Sequence, residues 1–136
     1  MQLTTHLSFT GQCEAAFKFY EKALGAKIVF SVTWGASPMA SDAPPEWGEK
    51  ILHSTLVLGD AHLSGADMPP GDESKPQAFA LTLSMKDPAE AEKVFAALAE
   101  NGKVTIPLAE TFWAFRFGGL TDQFGMPWMI NCEKPM

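Results

Sequence analysis

The chain is poor in the residues that most often announce chemistry. Of its 136 residues two are cysteine, three histidine and one tyrosine. Cys13 and Cys132 both lie in apolar patterns, so they are expected as buried free thiols rather than a disulfide, in a reducing cytoplasm. The three histidines are scattered, and no Ser-His-Asp or Cys-His constellation can be built from them. A basic stripe is also missing. Ten Lys and Arg stand against 16 Asp and Glu, for a net charge of −6, which excludes nucleic acid and an anionic membrane as expected partners. No window approaches the ~18 apolar residues of a membrane span. The opening MQLTTHLSF lacks the charged start and apolar run of a signal peptide. No glycine-rich loop follows a strand and opens a helix, so a nucleotide-type cofactor site is not expected.

What is present suits one folded domain, or one domain of two small halves. Apolar residues make up 46% of the chain and charged ones 19%, enough for a core. Two helices are legible. The first is expected over Gln12–Leu24, with Cys13, Ala16, Phe17, Tyr20, Ala23 and Leu24 as its buried stripe and Gly25 as its left-handed stop. The second is expected over Pro88–Asn101. Asp87 is its N-cap, Pro88 its first residue, Glu90 a capping-box partner and Gly102 its stop.

Strands are expected at Leu3–Phe9, Lys27–Trp34, Ile51–Leu58 and Ala61–Ala66. A second set follows at Ala78–Ser84, Val104–Leu108, Trp113–Phe117 and Trp128–Cys132. Gly59-Asp60 fits a two-residue hairpin loop with glycine first. The order is βαβββ twice, an internal repeat. Module one covers residues 1–67, a linker 68–76, and module two 77–136. A Pro-rich loop, Gly35–Glu49, carries Trp47, which is expected to be exposed and to mark an interface. Alternation puts His53, Thr55, His62 and Ser64 on one face of the first hairpin and Leu52, Leu56, Leu58, Ala61 and Leu63 on the other. In the fifth strand Phe79, Leu81 and Leu83 oppose Ala78, Ala80, Thr82 and Ser84; in the last, Trp128 and Ile130 read as core, leaving Met129 and Asn131 toward a cavity. The closing stretch ETFWAFRFGGLTDQFGMPWMIN (Glu110 to Asn131) combines an aromatic strand, a Gly118-Gly119 turn, an Asp122-to-Gly125 corner and a short apolar strand. Trp113, Phe115 and Phe117 alternate on one face and are expected in the core, a stacking wall being the alternative.

That closing stretch, with FYEKALGAKIVF from Phe19 to Phe30, resembles the PhnB-like branch of the vicinal oxygen chelate superfamily (glyoxalase, bleomycin resistance, dioxygenase). Members of this branch are often labelled as a 3-demethylubiquinone-9 3-methyltransferase domain, although no methyltransferase cofactor loop is present here. The PhnB name suggests phosphonate metabolism, but no cluster of Arg or Lys would grip a phosphonate. The resemblance implies an α+β fold, two βαβββ modules forming a curved mixed sheet around a cavity, and a homodimer. It also implies where a divalent metal would sit: on His and Glu of the first and last strands of each module. The counterparts here are Thr5 or His6, then His62 or Ser64, then Ala80 and Met129. Only His6 and His62 can ligate, and His53 lies about 13 Å from His62 along the hairpin at about 3.3 Å per residue. No metal or other cofactor is therefore expected, a divalent metal on His6 and His62 remaining an alternative.

Glu110, beside Trp113 and Arg116, is a candidate general base or a strand-end carboxylate paired with a Lys. The expected function is binding of a small, hydrophobic or aromatic molecule without a complete metal site, as in bleomycin-resistance relatives, with His53, Ser64, Thr82, Trp113 and Met129 lining the site. One alternative is a metal-dependent lyase, isomerase or dioxygenase-type enzyme with a site rebuilt from His6, His62 and Glu110. The other is a cofactor-free enzyme relying on Glu110.

Overall fold

The structure is a computed structural model that describes residues 1–69, 71 and 76–135. It divides into two compact units, Met1–Glu73 and Ser74–Met136. Of the expected linker 68–76, residues 70 and 72–75 lie outside the described residues. Unit one runs β1 (Thr5–Phe9), α1 (Cys13–Leu24), β2 (Lys27–Thr33), β3 (Ile51–Leu58) and β4 (Ala61–Asp67). Unit two runs β5 (Leu81–Ser84), α2 (Pro88–Ala99), β6 (Lys103–Ala109), β7 (Ala114–Thr121) and β8 (Pro127–Glu133). Each unit is thus βαβββ with its own four-stranded mixed sheet, ordered β1-β4-β3-β2 and β5-β8-β7-β6. The first and last strands of each unit pair in parallel; the other neighbours are antiparallel. No helix among the described residues is long and apolar enough to cross a membrane.

One buried carboxylate organises unit one. Asp67 ends β4 and is 1% exposed. Its Oδ1 accepts from the N–H groups of Gly11 and Cys13, both at 2.9 Å, and its Oδ2 accepts from Ile51 N–H at 2.9 Å. Gln12, the residue before α1, makes no side-chain cap bond. The helix start is instead satisfied by a carboxylate from another strand, where orphan N–H groups and the helix dipole both favour negative charge. The Asp67 carbonyl accepts from the indole N–H of Trp34 at 2.9 Å and of Trp47 at 3.4 Å. Gly25 closes α1 in the left-handed region at φ 74°.

Beneath α1, Gly65 admits Phe17: a Cβ there would stand 2.6 Å from Phe17 Cζ and 3.0 Å from Cys13 Sγ. Unit two has its own buried acid. Asp122 is 3% exposed; its Oδ1 accepts from Phe124 and Met126 N–H at 2.8 and 3.0 Å, and its Oδ2 from Trp128 Nε1 at 2.8 Å. With Gly125 at φ 89°, this makes the β7–β8 corner. Asp87 caps α2 as expected, accepting from Ala89 N–H at 3.0 Å.

Several expectations are corrected. Gly118 and Gly119 form no turn. They lie inside β7, paired with Ile130 and Met129, and Gly118 is small because a Cβ would meet the Phe95 ring at 2.9 Å and Ile106 O at 3.0 Å. Helix α2 stops at Ala99, and Asn101, at φ 58°, takes the left-handed place given to Gly102. Gly102 is needed for closeness, since a Cβ would lie 2.4 Å from Thr121 O. Strand β1 starts at Thr5, leaving Leu3 98% exposed. Strand β5 is only four residues long: Ala78 turns to φ 65° and Phe79 is exposed. Trp47 is half-buried in a short 3₁₀ turn and tied to Asp67, rather than fully exposed as the loop suggested.

Asp67→Ala leaves three backbone donors unsatisfied. It is expected to lower the unfolding free energy by about 3 kcal/mol or more in urea titrations, whereas Asp60→Ala in the exposed hairpin turn costs no more than about 0.5 kcal/mol. Equal effects would contradict the role of Asp67. Gly65→Ala drives a methyl into the fully buried Phe17 ring and is expected to cost about 1–3 kcal/mol in the same measurement.

Candidate functional site

In each sheet one face meets the helix and the other carries the polar and aromatic side chains. In unit one the helix side holds Leu7, Phe9, Leu56 and Gly65. The opposite, open face holds His6, His53, Thr55, His62 and Ser64. The pairing places His6 beside Ser64, Thr55 beside Ser64, and His62 beside Val57. His6 Nδ1 and Ser64 Oγ share a hydrogen bond of 2.8 Å, and the Phe30 ring lies 6.0 Å from the His53 ring. Burial first, and the neighbouring His53 second, hold the His6 imidazole below its ordinary pKa.

In unit two the helix side holds Ala114, Leu120, Trp128, Ile130 and Cys132, all nearly or fully buried. The open face holds Thr82, paired with Met129, and Ser84 and Phe117, which flank Asn131 on its two sides. Trp113, Phe115 and Phe117 are not core. Trp113 and Phe117 are half-buried, Phe115 is exposed, and Trp113 meets Phe117 edge-on at 5.1 Å. The physical reason is register: the helix-facing places of β7 belong to Ala114, Gly118 and Leu120, so the odd positions turn away.

Trp113 Nε1 donates to Asn131 Oδ1 at 3.3 Å, and Asn131 Nδ2 donates to Glu133 Oε1 at 3.1 Å. A cavity of about 670 Å³ opens at this end of the sheet, walled by Ser84, Lys86, Phe115, Asn131, Glu133 and Lys134. Glu110 forms an ion pair of 2.6 Å with Lys134. The Lys134 hydrogen bond, then its charge, hold the Glu110 carboxyl below the usual carboxylate range. It is therefore anionic at neutral pH and a weakened base. Glu133 and Lys86 were not singled out from sequence. Extending the β8 alternation from Asn131 by two residues points to Glu133; Lys86 sits in a connector where no periodicity marks it.

The metal positions implied by the resemblance can be tested on these residues. His6 and His62 share the open face of unit one. Their counterparts in unit two, Ala80 and Met129, offer no imidazole or carboxylate. Among the described residues no group of three or more His, Cys, Asp or Glu side chains is placed to hold an ion. The donor set does not fit a divalent metal. Cys13 and Cys132 are buried free thiols. Burial, then Asp67 and Glu14, push the Cys13 thiol up to about 12, so it stays protonated and unreactive.

Because folding lowers the His6 pKa, protons bind the unfolded chain more readily between the ordinary 6.5 and the lower folded value. The contribution to stability is complete above about 6.5 and is lost as pH falls through that window. A proton-NMR titration is expected to show His6 with a pKa below 6.5, and His53→Gln should raise it partway, burial being the larger cause. A His6 pKa at or above the ordinary value would contradict this geometry.

Known proteins resemble this chain over nearly its whole length. Protein YjdN of Escherichia coli K12 is 32% identical over 98% of this chain and 97% of its own length. The crystal structure of PA1353 from Pseudomonas aeruginosa superposes with a TM-score of 0.90 at 39% identity, covering 99% of both chains. A PhnB protein from Bacillus cereus, also named for 3-demethylubiquinone-9 3-methyltransferase, has the same fold at a TM-score of 0.81 and 24% identity, over 96% of this chain and 98% of its own. The family model for the Glyoxalase/Bleomycin resistance protein/Dioxygenase superfamily matches residues 3–130. With its two βαβββ modules and a match along nearly its full length, the chain belongs to the glyoxalase/bleomycin resistance protein/dioxygenase superfamily.

Proposed function

We propose that this protein binds a small organic molecule with an aromatic part, and that it does so on its open sheet faces without a metal. The observation that carries the reading is the aromatic and polar open face of unit two beside a cavity of about 670 Å³, a size typical of small-molecule sites. Trp113, Thr82 and Met129 are the contacts proposed there, with His53 and Ser64 offering a polar patch on unit one. Glu110 is proposed to hold Lys134 in place rather than to take a proton from a substrate, since its pairing lowers its basicity. The family description, which joins bleomycin resistance proteins with glyoxalases and dioxygenases, agrees with a small-molecule ligand. The reading includes a homodimer in the cytoplasm. Sedimentation velocity tests the dimer, and a single monomer boundary would remove it.

Calorimetric titration with a panel of aromatic compounds tests the binding reading. A ligand of this face is expected to lose about tenfold in affinity in Trp113→Ala, the equivalent of about 1.4 kcal/mol. The thermal midpoint should change little, because Trp113 is only half-buried. Binding that survives both Trp113→Ala and the face-filling Thr82→Trp would move the site elsewhere.

A further inference from the structure

The charges around the unit-two cavity are unevenly committed. Lys134 is neutralised by Glu110 at 2.6 Å, and Arg116 by Glu92 at 2.9 Å. The Asp87 carboxylate is occupied by the α2 N-terminus. Two wall residues remain. Among the described residues Glu133 has only the Asn131 amide as a partner, and Lys86 is exposed with no ion pair. The two do not pair with each other. Among the described residues the cavity wall thus carries one cation and one carboxylate outside any ion pair, together with the Phe115 ring of β7.

We propose that this cavity is a binding site for a small aromatic zwitterion of the amino-acid type, its carboxylate on Lys86, its ammonium on Glu133 and its ring against Phe115. This deepens the small-molecule reading above and rests on it. A simple anion would gain Lys86 but face the Glu133 carboxylate; a simple cation would gain Glu133 but face Lys86. A purely apolar ligand would strip water from both charges and pair neither. Only a ligand carrying both signs satisfies both walls at once, which is selection by charge complementarity. The supporting groups are already oriented. The Asn131 amide is held between Trp113 and Glu133, and Ser84 stands beside Asn131 in the parallel pair. Met85 N–H donates to Asn131 O at 3.1 Å, fixing the connector that carries Lys86 against β8.

The test is calorimetry of the full chain with phenylalanine, 3-phenylpropionate and phenethylamine. Phenylalanine is expected to bind about fivefold more tightly than either single-charge analogue, the upper range for one partly exposed ion pair. Lys86→Ala should weaken phenylalanine and phenylpropionate and leave phenethylamine unchanged. Glu133→Gln should weaken phenylalanine and phenethylamine and not weaken phenylpropionate. Both side chains are exposed, so an unchanged thermal midpoint will confirm intact folding. Either analogue binding as tightly as phenylalanine, or both variants binding it as the parent does, overturns the proposal. If other aromatic compounds bind through Trp113 while phenylalanine does not, the zwitterion assignment falls and the wider reading stands. If no aromatic compound of any charge binds, both fall.

Discussion

A carboxylate sealed from water must be met by donors, and in this protein the donors are backbone N–H groups at the ends of other elements. Asp67 gathers those of Gly11, Cys13 and Ile51. In doing so it sets where α1 begins, where β3 begins and where β4 ends. These ends fix the register of β4 against β1 and β3, and register decides which face each side chain takes. Asp122 acts in the same way on the second unit. Its bonds to Phe124, Met126 and Trp128 shape the corner that brings Thr121 opposite Pro127 and therefore Phe117 opposite Asn131. The open face is a consequence of where these two acids are satisfied.

The two units repeat one topology but have diverged in what they expose. Unit one shows imidazoles and hydroxyls, led by the His6–Ser64 pair. Unit two shows aromatic rings, an amide held at both ends, and charges of both signs around a cavity. Among the described residues neither face assembles a divalent-metal donor set. What unit two offers a ligand is stacking area, directed hydrogen bonds and charge, which together suit recognition.

Much of the fold was legible because it rests on local signals. The Cys13–Tyr20 stripe, Gly25, the Asp87-Pro88 start and the Gly59-Asp60 hairpin all speak through short-range periodicity or backbone freedom. The misreadings share a cause in tertiary contact. Gly118-Gly119 read as a turn because glycine permits one, yet the approach of Phe95 and Ile106 is what requires it. Trp47 read as exposed because its loop is long and Pro-rich, but the Asp67 carbonyl draws it inward. Trp113 and Phe117 meet away from α2, and alternation alone cannot say which face lies under α2. The open-face positions of His53, Thr55, His62 and Ser64 followed from period two. Glu133 and Lys86 were missed because they stand at and beyond strand ends, where that period stops.

The most direct measurement is an amide NMR map of the labelled chain during titration with phenylalanine. Saturable shifts should cluster in residues 82–86, 113–117 and 129–134, while the amides of β1 to β4 stay unmoved. Shifts scattered over exposed loops, or none at saturating phenylalanine, would contradict a ligand site on the open face of the second unit.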